Sequence, residues 1–302
     1  MGSFEIGVIL PGVNTQRESG LDLRAAARHA EDAGLDGVWH GDHLAVGGPT
    51  LDAPIALATA AAATSAVRIG VSVFVPGIRP LVWAAKQVAT LQYVSGGRLV
   101  LGVGSGGGPS QWAAAGVPYE RRGPRTDTAL ELLPELLSGA ETRLPDEPGR
   151  PVVTLAPAAA MPPVWVGNAS QVAIRRAARL GDGWFPSLIP PRELAEGRAR
   201  LVALAGRYGR PVPVIAIGGA AALGAGPGVP SRADLAAGIS GAYGRPLDEV
   251  MDIPLTGPPG EAAEKLNAYR EAGADHAVIG ISGGDWRAQV DLLAEVRDLL
   301  RG

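Results

Sequence analysis

Two hydrophobic periods alternate along this chain from one end to the other. Short, nearly continuous apolar runs predict strands at "FEIGVIL" (4–10), "DGVWH" (36–40), "VRIGVSVFV" (67–75), "RLVLGVG" (98–104), "PPVWVGN" (162–168), "DGWFPS" (182–187), "PVPVIAIGG" (211–219) and "DHAVIGI" (275–281). Segments with helical spacing lie between them. In "LDLRAAARHAEDAG", Leu23, Ala26, Ala27 and Ala30 share one face, and Gly34 stands where a helix ends. Strands that are apolar throughout suit a parallel sheet covered on both faces. Eight strand–helix units predict an α/β fold, a single (β/α)8 TIM barrel spanning 1–302. The Gly/Pro-rich "GAGPGVPSRADL" falls within an insertion in the seventh βα unit, about 220–256. A doubly wound sheet split into two domains would need a linker, and no composition break supplies one.

The stretch "LVLGVGSGGGPSQW" (99–112) has the GxGxxG spacing of a dinucleotide-binding turn in Gly102, Gly104 and Gly107. That turn belongs on the first strand of its unit, with an acid at a strand end about 20 residues on. Here the run is the fourth strand, and Asp127 falls where a helix begins. In a barrel the same glycines form the fourth βα loop, on the face that carries active sites, where glycine lets backbone approach a planar ligand.

Composition narrows the chemistry. The 302 residues carry a net charge of −3 with no basic stripe, which argues against a nucleic-acid partner and for a small-molecule substrate. With no cysteine, a disulfide framework, a thiolate nucleophile and a Cys-bound zinc are excluded. No run reaches membrane-spanning length, and "MGSFEIGVILPG" lacks the basic segment and apolar stretch of a secretory signal, so a cytoplasmic location is expected.

Three strand ends offer candidate chemistry. After the second, "HGDHL" places His40, Asp42 and His43 at the barrel mouth; no second cluster elsewhere supports a metal site. After the third, Ser72 is the single polar group able to face a ligand. After the fifth, Gly167, Asn168, Ala169 and Ser170 precede a helix, where free amides and the helix dipole favour a phosphate. Ser170 is equally suited to an ordinary N-cap. Arg121, Arg122 and Arg125 in "YERRGPR" are either solvated or a contact for an anionic cofactor tail.

Taken together, "AEDAGLDGVWHGDHL", "RIGVSVFVP", "PLVWAAKQVATLQYVSGGRLVLGVGSG", "AAGVPYERRGPRTD", "VWVGNAS", "ARLGDGWF" and "LTGPPGEAAEKLNAYREAGADHAVIGI" resemble the bacterial luciferase-like superfamily of flavin- and deazaflavin-dependent oxidoreductases, nearly from end to end. The chain is most similar to the coenzyme F420-dependent branch. That resemblance implies a TIM barrel that moves hydride between the deazaflavin and a small organic substrate. The alternatives are an FMN-dependent monooxygenase supplied with reduced flavin by a reductase partner, and a cofactor-binding barrel without catalysis. It further implies a homodimer, Asp42 and His43 beside the ring, and a cis peptide at Ser72–Val73 supporting it. Gly104, Ser105, Gly106 and Gly107, with Gly167 to Ser170, would hold the cofactor chain and phosphate. The branch's sugar-phosphate dehydrogenase carries a glutamate proton donor where this chain has Gly107, and neither Lys86 nor Lys265 matches its phosphate-binding lysines. Phosphosugar oxidation is therefore not expected, and proton transfer falls to His43, with Asp42 beside it.

Overall fold

The structure is a computed structural model that describes residues 3–302. Along the chain, β1 (Glu5–Ile9), β2 (Gly37–His40), β3 (Arg68–Phe74) and β4 (Leu99–Val103) come first. A small antiparallel pair, β5 (Thr142–Arg143) and β6 (Val152–Val153), follows. Then come β7 (Val164–Gly167), β8 (Gly183–Phe185), β9 (Val214–Leu223), β10 (Leu255–Gly257) and β11 (His276–Ile281). Strands β9-β11-β1-β2-β3-β4-β7-β8 pair in parallel, and β8 returns to β9, closing the eight-stranded barrel expected from the sequence. β10 adds a parallel edge to the end of β9, with Leu255 opposite Ala221.

Twelve helices accompany the strands among the described residues: α1 (Val13–Ser19), α2 (Leu23–Asp32), α3 (Ala53–Ala63), α4 (Leu81–Val94), α5 (Pro109–Ala114), α6 (Arg122–Ser138), α7 (Gln171–Leu180), α8 (Pro191–Arg207), α9 (Arg232–Tyr243), α10 (Leu247–Val250), α11 (Pro259–Glu271) and α12 (Trp286–Arg301). Local chemistry sets their ends. Asp22, Asp52 and Asp285 accept the first-turn amides of Ala25, Ile55 and Ala288, leaving α2, α3 and α12 capped. α2 buries Leu23, Ala26, Ala27 and Ala30, the face read from the sequence, and Gly34 follows it with φ +83°. The insertion after β9 holds α9, α10 and β10. No helix among the described residues is long and apolar enough to cross a membrane.

The barrel is filled rather than hollow. Trp39 from β2 stacks on Trp165 from β7, with ring centroids 5.2 Å apart, and Phe185 closes against both. Three strand glycines make room for them: a methyl on Gly7 or Gly70 would overlap the Trp39 indole, and one on Gly183 would overlap Trp165. These aromatics form a floor beneath the mouth.

At the opposite, N-terminal end, Glu5 meets Arg68 at 2.9 Å and His276 at 3.2 Å. Hydrogen bonding to His276, then to Arg68, holds the Glu5 carboxyl down at about 2 against the opposing effect of burial. A depressed carboxylate stabilises the fold above its ordinary value near 4.5, and that contribution is lost as pH falls toward 2. Urea unfolding between pH 5 and pH 2.5 is therefore expected to show a steep loss of stability that flattens in Glu5→Gln. Parallel profiles for parent and variant would contradict this.

Candidate active site at the barrel mouth

β2 ends in His40, whose Nδ1 lies 2.8 Å from the Gly41 carbonyl oxygen. Burial pushes the His40 pKa down, partly opposed by that hydrogen bond, and its Nδ1 is already committed to the Gly41 carbonyl. Asp42, next but one, is buried and fully engaged. One oxygen accepts the Val75 amide at 2.9 Å, and both accept Nη2 of Arg79 at 2.7 and 2.9 Å. Arg79 lies over the Phe74 ring at 4.5 Å and also donates to Gln87. The Asp42–Arg79 pair thus fastens the loop after β2 to the loop after β3. Asp42, expected beside His43 in proton transfer, has both oxygens engaged by Arg79 and one of them also by the Val75 amide.

His43 is exposed at the rim. Its Nε2 and the Ser72 carbonyl oxygen flank one point, lying 3.1 and 3.6 Å from where a Cβ on Gly41 would stand. Only glycine at 41 leaves that space free. The next residue is tethered across the mouth: the Leu44 amide donates to Oε1 of Gln111 on α5 at 2.9 Å.

The Ser72–Val73 peptide is cis, as the resemblance implied, and the β3–β4 register shifts between Val71 and Phe74. The Ser72 hydroxyl is buried without a hydrogen-bond partner. Val73 drops into a socket of three glycines. Its methyl carbons lie 2.5, 2.9 and 3.2 Å from where Cβ atoms on Gly104, Gly167 and Gly102 would stand.

That socket revises the reading of the glycine run. Gly102 and Gly104 are glycine because β3 presses on them, and Gly106, at φ +66°, because Val75 and the Trp112 indole close over it. Ser105 is half-buried, while Gly107 is open, with no atom within 4 Å of a Cβ built there. Asp127 lies within α6 and pairs with Arg176 at 2.7 Å, far from the role of a ribose ligand.

After β7, Asn168 adopts φ +85° and its Oδ1 accepts the Ser170 amide at 2.8 Å. The Ser170 hydroxyl accepts the Ala173 amide and caps α7. Asn168 and Ser170 have thus spent their own N–H groups, the former on the Phe185 carbonyl. Of the non-glycine residues expected at this turn, Ala169 keeps a free amide, and Gln171 and Val172 of the first helical turn add two more among the described residues. The anion-binding potential sits one step further into the helix than the sequence suggested.

The three arginines separate cleanly. Arg121 pairs with Asp146 at 3.1 Å. Arg125 donates to the Gly77 carbonyl and faces Glu147 at 3.5 Å, bracing the turn after β3. Arg122 stacks on Tyr119 at 3.9 Å and has no carboxylate partner among the described residues. Sequence reading missed Arg79, Gln111 and Trp112. Arg79, a cation in the otherwise apolar "VPGIRP", was the one with a visible signal.

Comparison with known proteins gives this geometry a setting. A family model described as luciferase-like monooxygenase matches residues 3–228. The F420-dependent glucose-6-phosphate dehydrogenase of Amycolatopsis mediterranei is 33% identical over 188 residues, covering 54% of this chain and 52% of that protein. The 4-hydroxyprotoasukamycin monooxygenase of Streptomyces nodosus subsp. asukaensis is 34% identical over 140 residues, covering 45% of this chain and 36% of its own. The chain spans about half the length of the curated relatives it matches. Among solved structures, an F420-dependent secondary alcohol dehydrogenase in complex with an F420-acetone adduct superposes over 100% of both chains with a TM-score of 0.83 at 17% identity, a likeness of fold.

Proposed function

The chain belongs to the luciferase-like monooxygenase family, and from that premise we propose that it is a coenzyme F420-dependent oxidoreductase, exchanging hydride with a small organic substrate at the barrel mouth. The observation that carries this reading is the Ser72 hydroxyl, buried without a partner on β3, in a residue whose carbonyl oxygen flanks the same point as Nε2 of His43. Buried polar groups are ordinarily satisfied, so an orphaned one at a mouth points to a ligand atom. The residues fit the cofactor. Ser72 and Val73 would lie against its ring, and the free amides of Ala169, Gln171 and Val172 would take its phosphate. When bound, a deazaflavin supplies a hydride-carrying carbon that reacts poorly with oxygen. The protein's part is to hold that carbon near His43, which exchanges the proton, while Asp42, Arg79 and Gln111 keep His43 in place.

A second reading is an FMN-dependent monooxygenase with a reductase partner, favoured by the monooxygenase relative. Titrating the protein with F420 and with FMN, oxidised and reduced, and following fluorescence separates the two. Saturable F420 binding with weak FMN binding is expected; tight FMN binding without F420 binding would overturn the leading reading. Binding of neither would overturn both.

Two further outcomes follow. Ala169→Glu is expected to weaken cofactor binding by about tenfold or more, since a carboxylate just ahead of the α7 cap repels a phosphate held there; an unchanged dissociation constant would place the phosphate elsewhere. A homodimer would cover the apolar side chains Ile55, Trp83 and Val94 that neighbouring α3 and α4 expose, and sedimentation equilibrium is expected to give twice the chain mass.

A further inference from the structure

The loops around the mouth differ sharply in chemistry. The stretches at the ends of β1, β8, β9 and β11 read "ILPGVNTQ" (9–16), "FPSLIPP" (185–191), "GGAAALGAGPGVPS" (218–231) and "AVIGISGG" (277–284), and none of these residues is ionisable. β4 and β7 continue as "GSGGGPSQWAAAGVP" (104–118) and "GNASQVAI" (167–174), again without one. Beyond these stretches Arg121, Arg232 and Arg245 are each paired with a carboxylate and Arg122 is stacked on Tyr119, while the loops after β2 and β3 bring their own ionisable groups. Of these, Asp42 and Arg79 neutralise each other, Asp52 caps α3 and His40 is buried. His43 alone is exposed and without a hydrogen-bond or ion-pair partner among the described residues.

The lumen wall formed by β1, β9 and β11 is apolar and left open. Ile9 packs on the tryptophan floor, and its Cδ1 lies 3.6 Å from where a Cβ on Gly280 would stand, so both face inward. Phe185 bears the same relation to Gly218. Ala220, two residues beyond Gly218 and opposite Gly280 in the register, shares that face. Ile9, Gly218, Ala220 and Gly280 are all half-exposed, which leaves an unfinished apolar surface at the mouth.

We infer that the substrate is an uncharged, predominantly apolar small molecule, seated on the Ile9–Ala220–Gly280 wall with its reacting polar group toward His43; this rests on the mouth being the oxidoreductase site. A carboxylate or phosphate seated there would find no cation to replace its water, and an ammonium would find no free carboxylate. Leaving an ion unpaired in such a place costs more than apolar contact returns. A neutral carbonyl or hydroxyl loses far less and needs only one partner, which His43 supplies.

Saturation-transfer NMR with three probes that share a ring tests this: cyclohexanone, cyclohexanecarboxylate and cyclohexylammonium at equal concentration. On the free protein, transfer to the ketone is expected to exceed that to either ion by about tenfold or more. Ala220→Lys, and independently Ile9→Lys from the neighbouring strand, should shift the order toward the carboxylate, so a folding failure in one variant leaves the other to decide. A parent protein that takes the carboxylate as well as the ketone would overturn the inference, as would a folded lysine variant whose order is unchanged. F420 affinity is followed by fluorescence in the same samples. Its loss counts against the proposed function, whereas the ketone-to-ion order alone decides the substrate class.

Discussion

Gly102→Ala is expected to destabilise the fold by about 3 kcal/mol or more, the upper end of what overpacking costs. A methyl there would overlap the carbonyl oxygen of Val71 and stand 3.2 Å from Val73 Cγ1. Backbone cannot swing aside as a side chain can, so β3 and β4 would have to separate where they carry the mouth. Gly104→Ala overlaps the Val73 side chain, at 2.5 Å, rather than backbone, and should cost about 1–3 kcal/mol. Gly107→Ala meets nothing within 4 Å and its φ is not positive, so it should be neutral or stabilise by up to about 1 kcal/mol through the unfolded chain. Urea midpoints for the three variants should fall in that order. A Gly102 variant as stable as the parent would mean that β3 and β4 do not approach as described. Cofactor affinity gives a second readout, because displacing Val73 in the Gly104 variant disturbs the surface proposed to lie against the ring, and the Gly107 variant leaves it alone.

This contrast shows where sequence reading stops. The barrel was legible because eight buried strands leave eight apolar runs, and the α2 face from Leu23 to Ala30 because a 3.6-residue period survives in a helix of ten residues. α5 was not legible. At six residues it carries no period, and "PSQWAA" reads as loop, so Gln111 passed unnoticed despite its bond to Leu44. Glycine was the most ambiguous letter. Gly102, Gly104, Gly106 and Gly107 look alike in sequence, yet three of them answer to neighbouring side chains or backbone and one faces open space. Asp42 illustrates the same limit: its place beside His43 was visible, while its capture by Arg79, 37 residues on, is a tertiary fact.

His43→Ala is expected to lower turnover by about 10²–10⁴-fold, the usual weight of a general acid–base group, while leaving F420 affinity within a few-fold. The other groups at the rim cannot easily replace it. Both Asp42 oxygens accept from Arg79, and Asp42 also accepts from Val75. His40 is buried, with its Nδ1 on the Gly41 carbonyl. Gln111→Leu should give a milder loss of turnover, because it frees Leu44 and with it the His43 loop; Gln111→Glu keeps an acceptor oxygen and should recover most of the rate. Single-turnover kinetics followed through the absorbance of the deazaflavin read both effects, with binding measured separately by fluorescence. Parent-like turnover in His43→Ala would reduce His43 to a wall of the pocket, with the proton coming from His40, a tyrosine, water or the substrate.

The central claim is that a deazaflavin lies across the mouth between β2 and β7, and a crystal structure of the F420 complex tests it most directly. The account predicts ring density against Ser72 and Val73 on the side of His43, with the phosphate on the amides of Ala169, Gln171 and Val172. Density for the ring elsewhere, such as the opposite end of the barrel beside Glu5, Arg68 and His276, or a phosphate away from the first turn of α7, would contradict it.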